Sequence, residues 1–241
     1  MDIERIKTGI GGLDELLDGG FPKNTAVLVL GGPGTGKTIL GLQFLSQGAK
    51  DDEVGLYVSF EESIDNLVED AKLIGIDMEK LCNENKVKIL FVELTDIGAI
   101  IDRIHKAVKE FGVERVVIDS LSTLSVNAIE LKTLYDFGII TSTSGGYMSL
   151  PASDVMIRRR VLKGFINAIK EMGVTSIMTY EDDGSDMTPA FICDGVIALR
   201  KKSMPGGMER TLTVEKMRKT EIDGGIHNLE FTKGGLKIMR E

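Results

Sequence analysis

Thr25-Ala26-Val27-Leu28-Val29-Leu30-Gly31-Gly32-Pro33-Gly34-Thr35-Gly36-Lys37-Thr38 packs a strand, a turn and the start of a helix into one short stretch. Thr25–Leu30 is an apolar, β-branched run of core-strand length. Gly31–Thr38 fits G-x-x-x-x-G-K-[ST] at every position, and Thr38–Gly48 reads as a helix. Glycines at these points let backbone N–H groups turn inward around phosphate oxygens. The helix beginning near Lys37 aims the positive end of its dipole at the same place. The phosphate-binding run is therefore expected to be Gly32, Pro33, Gly34, Thr35, Gly36, Lys37, Thr38 and Ile39. Lys37 would hold the β- and γ-phosphates, and the Thr38 hydroxyl would ligate Mg²⁺.

Outward from this stretch, apolar runs alternate with helix-period segments. Further strands are expected at Val54–Phe60, Val87–Val92, Arg115–Ile118, Thr175–Thr179 and Gly195–Leu199. Helices are expected at Ser63–Ile74, with Ser63 as N-cap, at Asp96–Phe111 and at Met156–Met172. Such alternation predicts a mostly parallel α/β sheet flanked by helices. The tail differs: Arg210–Lys216 alternates as a strand, and Asn228–Thr232 with Gly235–Met239 reads as a hairpin, giving a C-terminal antiparallel extension. With 241 residues, one domain spanning 1–241 is expected. Ser125–Ser153 is the one long irregular stretch.

The composition, 42% hydrophobic and 27% charged, is that of an ordinary globular protein. Apolar runs fall short of a bilayer span and the first residues carry mixed charge, so a cytoplasmic protein without membrane partners is expected. Cys82 and Cys193 lack a CxxC spacing, and with only His105 and His227 available a Cys/His metal cage is not supported. The net charge of −8 disfavours non-specific binding to a phosphate backbone.

A metal-side acid should end a later buried strand, and Arg115–Ile118 is followed by Asp119. Val54–Phe60 is followed by Glu61 and Glu62, where ligands bind in open α/β sheets. On spacing alone the pair reads equally as catalytic acids or as the acidic first turn of the Ser63 helix.

Several stretches together resemble a family. Lys7-Thr8-Gly9-Ile10-Gly11-Gly12-Leu13-Asp14-Glu15-Leu16-Leu17 and Gly19-Gly20-Phe21-Pro22 look like the opening of RecA/RadA-type ATPase cores. Tyr57-Val58-Ser59-Phe60-Glu61-Glu62-Ser63 and Glu215-Lys216-Met217-Arg218-Lys219-Thr220 narrow the resemblance to the KaiC-like branch. It implies a RecA-like P-loop fold binding ATP and Mg²⁺, with Thr38 and Asp119 on the metal side. It also implies Glu61 as catalytic glutamate with Glu62 beside it, and Lys37 on the phosphates. Lys216 and Arg218 match basic residues that reach the γ-phosphate of the adjacent subunit, which implies a homo-oligomeric ring, hexameric by analogy. Strand alternation points both cations the same way; a solvated edge strand would carry the same residues. Asn24 and Lys219 stand where the family often has glycine. The cyanobacterial clock protein has two such domains in tandem, so a clock role is not carried over.

In RecA-like rings two loops face the central channel, and their counterparts here are Ser125–Ser153 and Glu181–Phe191. The first offers Tyr135, Phe137 and Tyr147; the second carries Glu181, Asp182, Asp183 and Asp186, which would repel a phosphate backbone. Arg158, Arg159, Arg160 and Lys163 form a basic helix start that either touches nucleic acid or is a solvated or interface face, some of it paired with neighbouring acids. Two main readings follow. One is a ring ATPase that acts as a nucleotide-driven switch on protein partners; the other is a recombinase paralogue that binds single-stranded DNA. A weaker third is an assembly module with negligible turnover.

Overall fold

The computed structural model describes residues 3–128, 154–181, 186–205 and 207–239. Most of Ser125–Ser153, with Tyr135, Phe137 and Tyr147, and also Asp182 and Asp183, lie outside the described residues.

In chain order the strands are β1 (Arg5–Ile6), β2 (Phe21–Pro22), β3 (Ala26–Gly31), β4 (Gly55–Ser59), β5 (Val87–Phe91), β6 (Arg115–Asp119), β7 (Thr175–Tyr180), β8 (Gly195–Met204), β9 (Gly207–Met217), β10 (Ile226–Thr232) and β11 (Gly235–Ile238). The helices are α1 (Lys37–Lys50), α2 (Ile64–Leu73), α3 (Met78–Asn83), α4 (Ile97–Phe111), α5 (Leu121–Asn127), α6 (Asp154–Glu171) and α7 (Thr188–Ile192). One nine-stranded sheet has the order β5-β4-β6-β7-β3-β8-β9-β10-β11. Strands β5 to β8 in that order pair in parallel. From β8 to β11 the pairing is antiparallel. This is the expected parallel α/β sheet with an antiparallel extension.

Two cores cover the two faces. Val27 and Val29 of β3 pack with Leu40 and Phe44 of α1, while Ala26, Leu28 and Leu30 pack with Ile100 and Ile104 of α4 and Phe165 and Ile169 of α6. Period-2 alternation along β3 thus serves both layers, as a doubly covered parallel strand requires. On α4, Ile97, Ile100, Ile104 and Val108 form the buried stripe, each contributing roughly 1.5–3 kcal/mol by burial. Arg115, fully buried, ties this sheet to α1. It bonds Glu53, reaches Asp51 at 3.2 Å, donates to the Lys7 and Phe44 carbonyls at 2.7 and 3.0 Å, and lies over the Phe44 ring. A Cβ on Gly48 would sit 2.5 Å from Arg115 Cδ, so only glycine lets α1 come this close.

Three local expectations need correction. Ser125–Asn127 belong to α5, whose first turn Ser120 caps, so the irregular stretch starts later than its polar composition suggests. Strand β8 runs to Met204 rather than ending at Leu199, because β9 extends it as a two-stranded ribbon in which exposed polar residues leave no apolar pattern. The Glu181–Phe191 segment contains α7, started by Pro189 near its N-terminus. Ser63 caps α2, accepting the Asn66 N–H, as the sequence predicts. Cys193 is buried and Cys82 half-buried, and both are free; burial pushes the Cys193 thiol up to about 12. Among the described residues no helix is long and apolar enough to cross a membrane.

Candidate active site

The turn between β3 and α1 carries Gly34 at φ 70° and Gly36 at φ 108°, backbone that side chains with a Cβ rarely adopt. Helices α2, α3, α4 and α5 each begin under a side-chain cap, from Ser63, Asp77, Asp96 and Ser120. Helix α1 has none: Gly36 supplies no side chain, and the first N–H groups are left to an external acceptor. Thr35 braces the turn by donating to the Gly32 carbonyl at 2.9 Å. The Lys37 ammonium folds back onto the carbonyls of Gly31 and Gly32 at 2.8 and 3.1 Å. Burial lowers its pKa, against the pull of Glu181, Asp119 and Glu61. Pro33 and Gly34 are exposed, and Ile39 packs on the α1 core.

Asp119 ends β6 beside this turn. Its Oδ2 accepts Thr38 at 3.0 Å and Tyr57 at 2.5 Å, and its Oδ1 accepts Thr179 at 2.5 Å. Burial, followed by the Asp119 charge, pushes the Tyr57 phenol well above its usual range. A hydroxyl and a carboxylate side by side fit Mg²⁺, a hard cation that takes few protein oxygens and fills its octahedron with phosphate and water. Thr38 and Asp119 would hold it.

The two acids after β4 are held apart by a turn at Ser59, whose hydroxyl accepts the Glu62 N–H at 3.0 Å and donates to the Glu62 carbonyl at 2.7 Å. Glu61 is exposed and accepts the Thr123 hydroxyl, which in turn pairs with Ser120 at 3.0 Å. Glu62 is half-buried, and its Oε2 has no hydrogen-bond partner among the described residues. Burial, then the Asp119 charge, raises its carboxyl. One acid of the pair therefore faces solvent at the mouth while the other leans toward Asp119.

The P-loop, the acid pair, Asp119 and Glu181 follow β3, β4, β6 and β7, all at the carboxyl end of the parallel strands, where open α/β sheets bind ligands. Tyr57, Thr123, Thr179 and Glu181 were not singled out as site residues by the sequence. Their signal was faint: hydroxyls within otherwise apolar strands for Tyr57 and Thr179, a hydroxyl in the first turn of α5 for Thr123, and an acid directly after β7.

Lys216 and Arg218 lie elsewhere. Lys216 pairs across from Val196 and Met217 from Gly195, while Gly195 pairs with Val27. The P-loop begins four residues further along β3, at Gly31, or ~13 Å at the usual strand rise. Both cations thus sit near the opposite end of the sheet from their own P-loop. Lys216 donates to the Ala190 and Cys193 carbonyls at 2.9 and 2.6 Å, capping α7; burial, then Arg218, lowers its pKa. Arg218 pairs with Asp194 at 3.3 Å and stays about half exposed. Both cations converge on the Cys193–Asp194 corner, although Arg218 lies in the turn just past the end of β9, where strand alternation does not set its direction. In the basic cluster, Arg159 pairs with Asp186 at 3.6 Å and Arg160 is also engaged.

Comparison with known proteins agrees with this geometry. The family described as "ATPase: KaiC" matches residues 6–133 and 146–241. A UPF0273 protein of Thermotoga maritima is 32% identical over 98% of this chain and 96% of its own length. The circadian clock oscillator protein KaiC of Picosynechococcus is 31% identical over 98% of this chain, which spans only 44% of that protein. The crystal structure of a KaiC-like protein from Pyrococcus horikoshii matches with a TM-score of 0.81 at 30% identity, over 99% of this chain and 100% of that one. A P-loop opening an uncapped helix, an acid ending the β6 strand and a match along nearly the whole chain have one reading: the chain belongs to the KaiC family of P-loop ATPases.

Proposed function

We propose that this protein hydrolyses ATP with Mg²⁺ at a site completed between neighbouring subunits of a ring, and that its nucleotide state governs protein partners. The observation that carries the reading is the hydrogen-bonded pair of Thr38 and Asp119 beside Lys37 at an uncapped helix start, with Glu61 at the same mouth. Backbone N–H groups of Gly34–Thr38 cradle the phosphates, and Lys37 leaves the loop carbonyls to hold the β- and γ-oxygens. Mg²⁺ bound at Thr38 and Asp119 would neutralise charge developing on the phosphates. Glu61 orients the attacking water and takes its proton, while Glu62 supports that geometry from the Asp119 side. Lys216 and Arg218, distant from their own P-loop, serve the γ-phosphate of the adjacent subunit.

Protein partners are favoured over DNA by the net charge of −8, by the acids Glu181 and Asp186, and by the engagement of Arg159 and Arg160 within the chain. Steady-state ATP hydrolysis with and without single-stranded DNA, with Lys37→Ala as blank, tests the reading. Turnover that is lost in Lys37→Ala and indifferent to DNA is expected. No turnover above the blank would remove the ATPase reading. Salt-sensitive stimulation by DNA would replace the partner switch with the recombinase-paralogue reading.

A further inference from the structure

The last residue of β8 paired with β3 is Leu199, opposite Gly31; beyond it β8 is paired only with β9, out to Met204 opposite Gly207. This ribbon passes beside the P-loop. Ile197 and Leu199 face the α1 core, so strand alternation puts Lys201 on that same face, over the loop. A Cβ placed on Gly34 would lie 3.3 Å from the Lys201 ammonium nitrogen. Directly across the ribbon from Lys201 is Arg210, whose guanidinium lies 4.4 Å over the Phe231 ring and whose buried Nε has no hydrogen-bond partner among the described residues. Phe231 itself closes on the loop, its Cζ 2.9 Å from the Cβ position of Gly36.

Like charges directly opposite each other in an antiparallel pair are destabilising. Elsewhere the ribbon avoids this: Arg200 pairs with Glu215 at 3.2 Å, and Lys202 faces Glu209. On the loop face it does not. Among the described residues no carboxylate forms an ion pair with Lys201 or Arg210. The Lys201 charge also disfavours the charged form of Lys37. Lys201 and Arg210, gathered beside the loop with no carboxylate paired to either among the described residues, describe a place for an anion.

We propose that Lys201 is a phosphate-binding residue of the same subunit, reaching over Gly34 to hold a phosphate oxygen of the bound nucleotide. The inference rests on the P-loop being the nucleotide site. A flexible ammonium suits the task as a point charge, without the fixed fork of arginine.

Titration calorimetry with ATP and ADP on the full chain tests it, comparing wild type with Lys201→Ala, Lys201→Arg, Lys202→Ala and Lys37→Ala. Lys201→Ala is expected to weaken both nucleotides about ten-fold, with Lys201→Arg recovering most of the loss and Lys202→Ala binding as wild type. Lys201 is exposed, so the variant is expected to fold; an unchanged melting temperature without nucleotide checks this. Affinity of Lys201→Ala within two-fold of wild type, while Lys37→Ala loses binding, overturns this role alone. An equal loss in Lys202→Ala also overturns it, by reducing the effect to general charge. Failure of wild type itself to bind ATP would instead remove the nucleotide site on which the inference rests.

Discussion

Arg218 donates to Oδ1 of Asp194 at 3.3 Å, and Asp194 with its Oδ2 accepts the backbone N–H of Ala26 at 3.1 Å. The arginine proposed to serve a neighbour's phosphate is thus held, in its own chain, by the carboxylate that anchors the start of the P-loop strand. Lys170 reaches the same Oδ1 at 2.9 Å, so Asp194 would keep a counter-charge if Arg218 left it for a neighbour. Completion of the site in trans has a direct test. Subunits with Lys216→Ala and Arg218→Ala, and subunits with Glu61→Gln, are each expected to be inactive. Mixed one to one, they should recover about a quarter of wild-type turnover, the share of interfaces that receive both intact halves. Mixtures no more active than either variant would sink the arrangement.

Tyr57 and Thr38 share one oxygen of Asp119. Removing the phenol in Tyr57→Phe takes a charge-assisted hydrogen bond from the carboxylate, at about 1.5–3 kcal/mol. The expected outcome is a melting temperature lowered by roughly 3–10 °C. The Mg²⁺ concentration for half-maximal turnover should rise, because Asp119 loses one of the groups that orient it. A magnesium titration of both proteins reads this.

Glu62 gives a pH prediction. Burial and the Asp119 charge raise its carboxyl above the usual glutamate range, so folding favours the protonated form. A raised folded-state pKa means stability present at low pH and lost as pH rises through that value. Glu62→Gln, which does not titrate, should therefore melt higher than wild type at pH 8, by on the order of 1–3 °C. The gap should close as pH falls toward 4.5. A gap that widened on acidification would contradict the burial reading.

Arg115 is held by Asp51, Glu53 and main-chain carbonyls with almost no exposed surface. Arg115→Met removes one partner from a buried ionic cluster and should cost about 3–5 kcal/mol. Thermal unfolding read by circular dichroism should fall by roughly 10 °C or more. Nucleotide affinity at low temperature should remain, since Arg115 starts β6 and Asp119 ends it.

Much of this molecule was legible because its signals are local. The glycine-rich turn into α1, Ser63 as N-cap, the α4 stripe and Asp119 after an apolar strand each declare themselves within one stretch of chain. Asn24 and Lys219, which stand where the family often has glycine, prove to have φ of 58° and 61°. The departures therefore keep the backbone and bear the strain of a left-handed residue. Lys219→Gly is expected to raise stability by about 0.5–1 kcal/mol, measured by denaturant unfolding.

What escaped the sequence was relational. Tyr57 and Thr179 look like ordinary strand residues until β4 and β7 flank β6 and aim both hydroxyls at Asp119. Lys201 carries no local signal of a role; it is the ribbon beside β3 that sets it over Gly34. Contacts made between elements have no spacing to read.

The missing cap on α1 has a thermodynamic consequence. Helices α2, α3, α4 and α5 bring their own side-chain acceptors, whereas α1, like the short α7, does not, so the start of α1 is open to a visitor that finishes it. Ligand and fold are then linked: nucleotide at a hundred times its dissociation constant adds about 2.7 kcal/mol to stability. The melting curve of this protein becomes a gauge of occupancy, and a starved chain is a softer one.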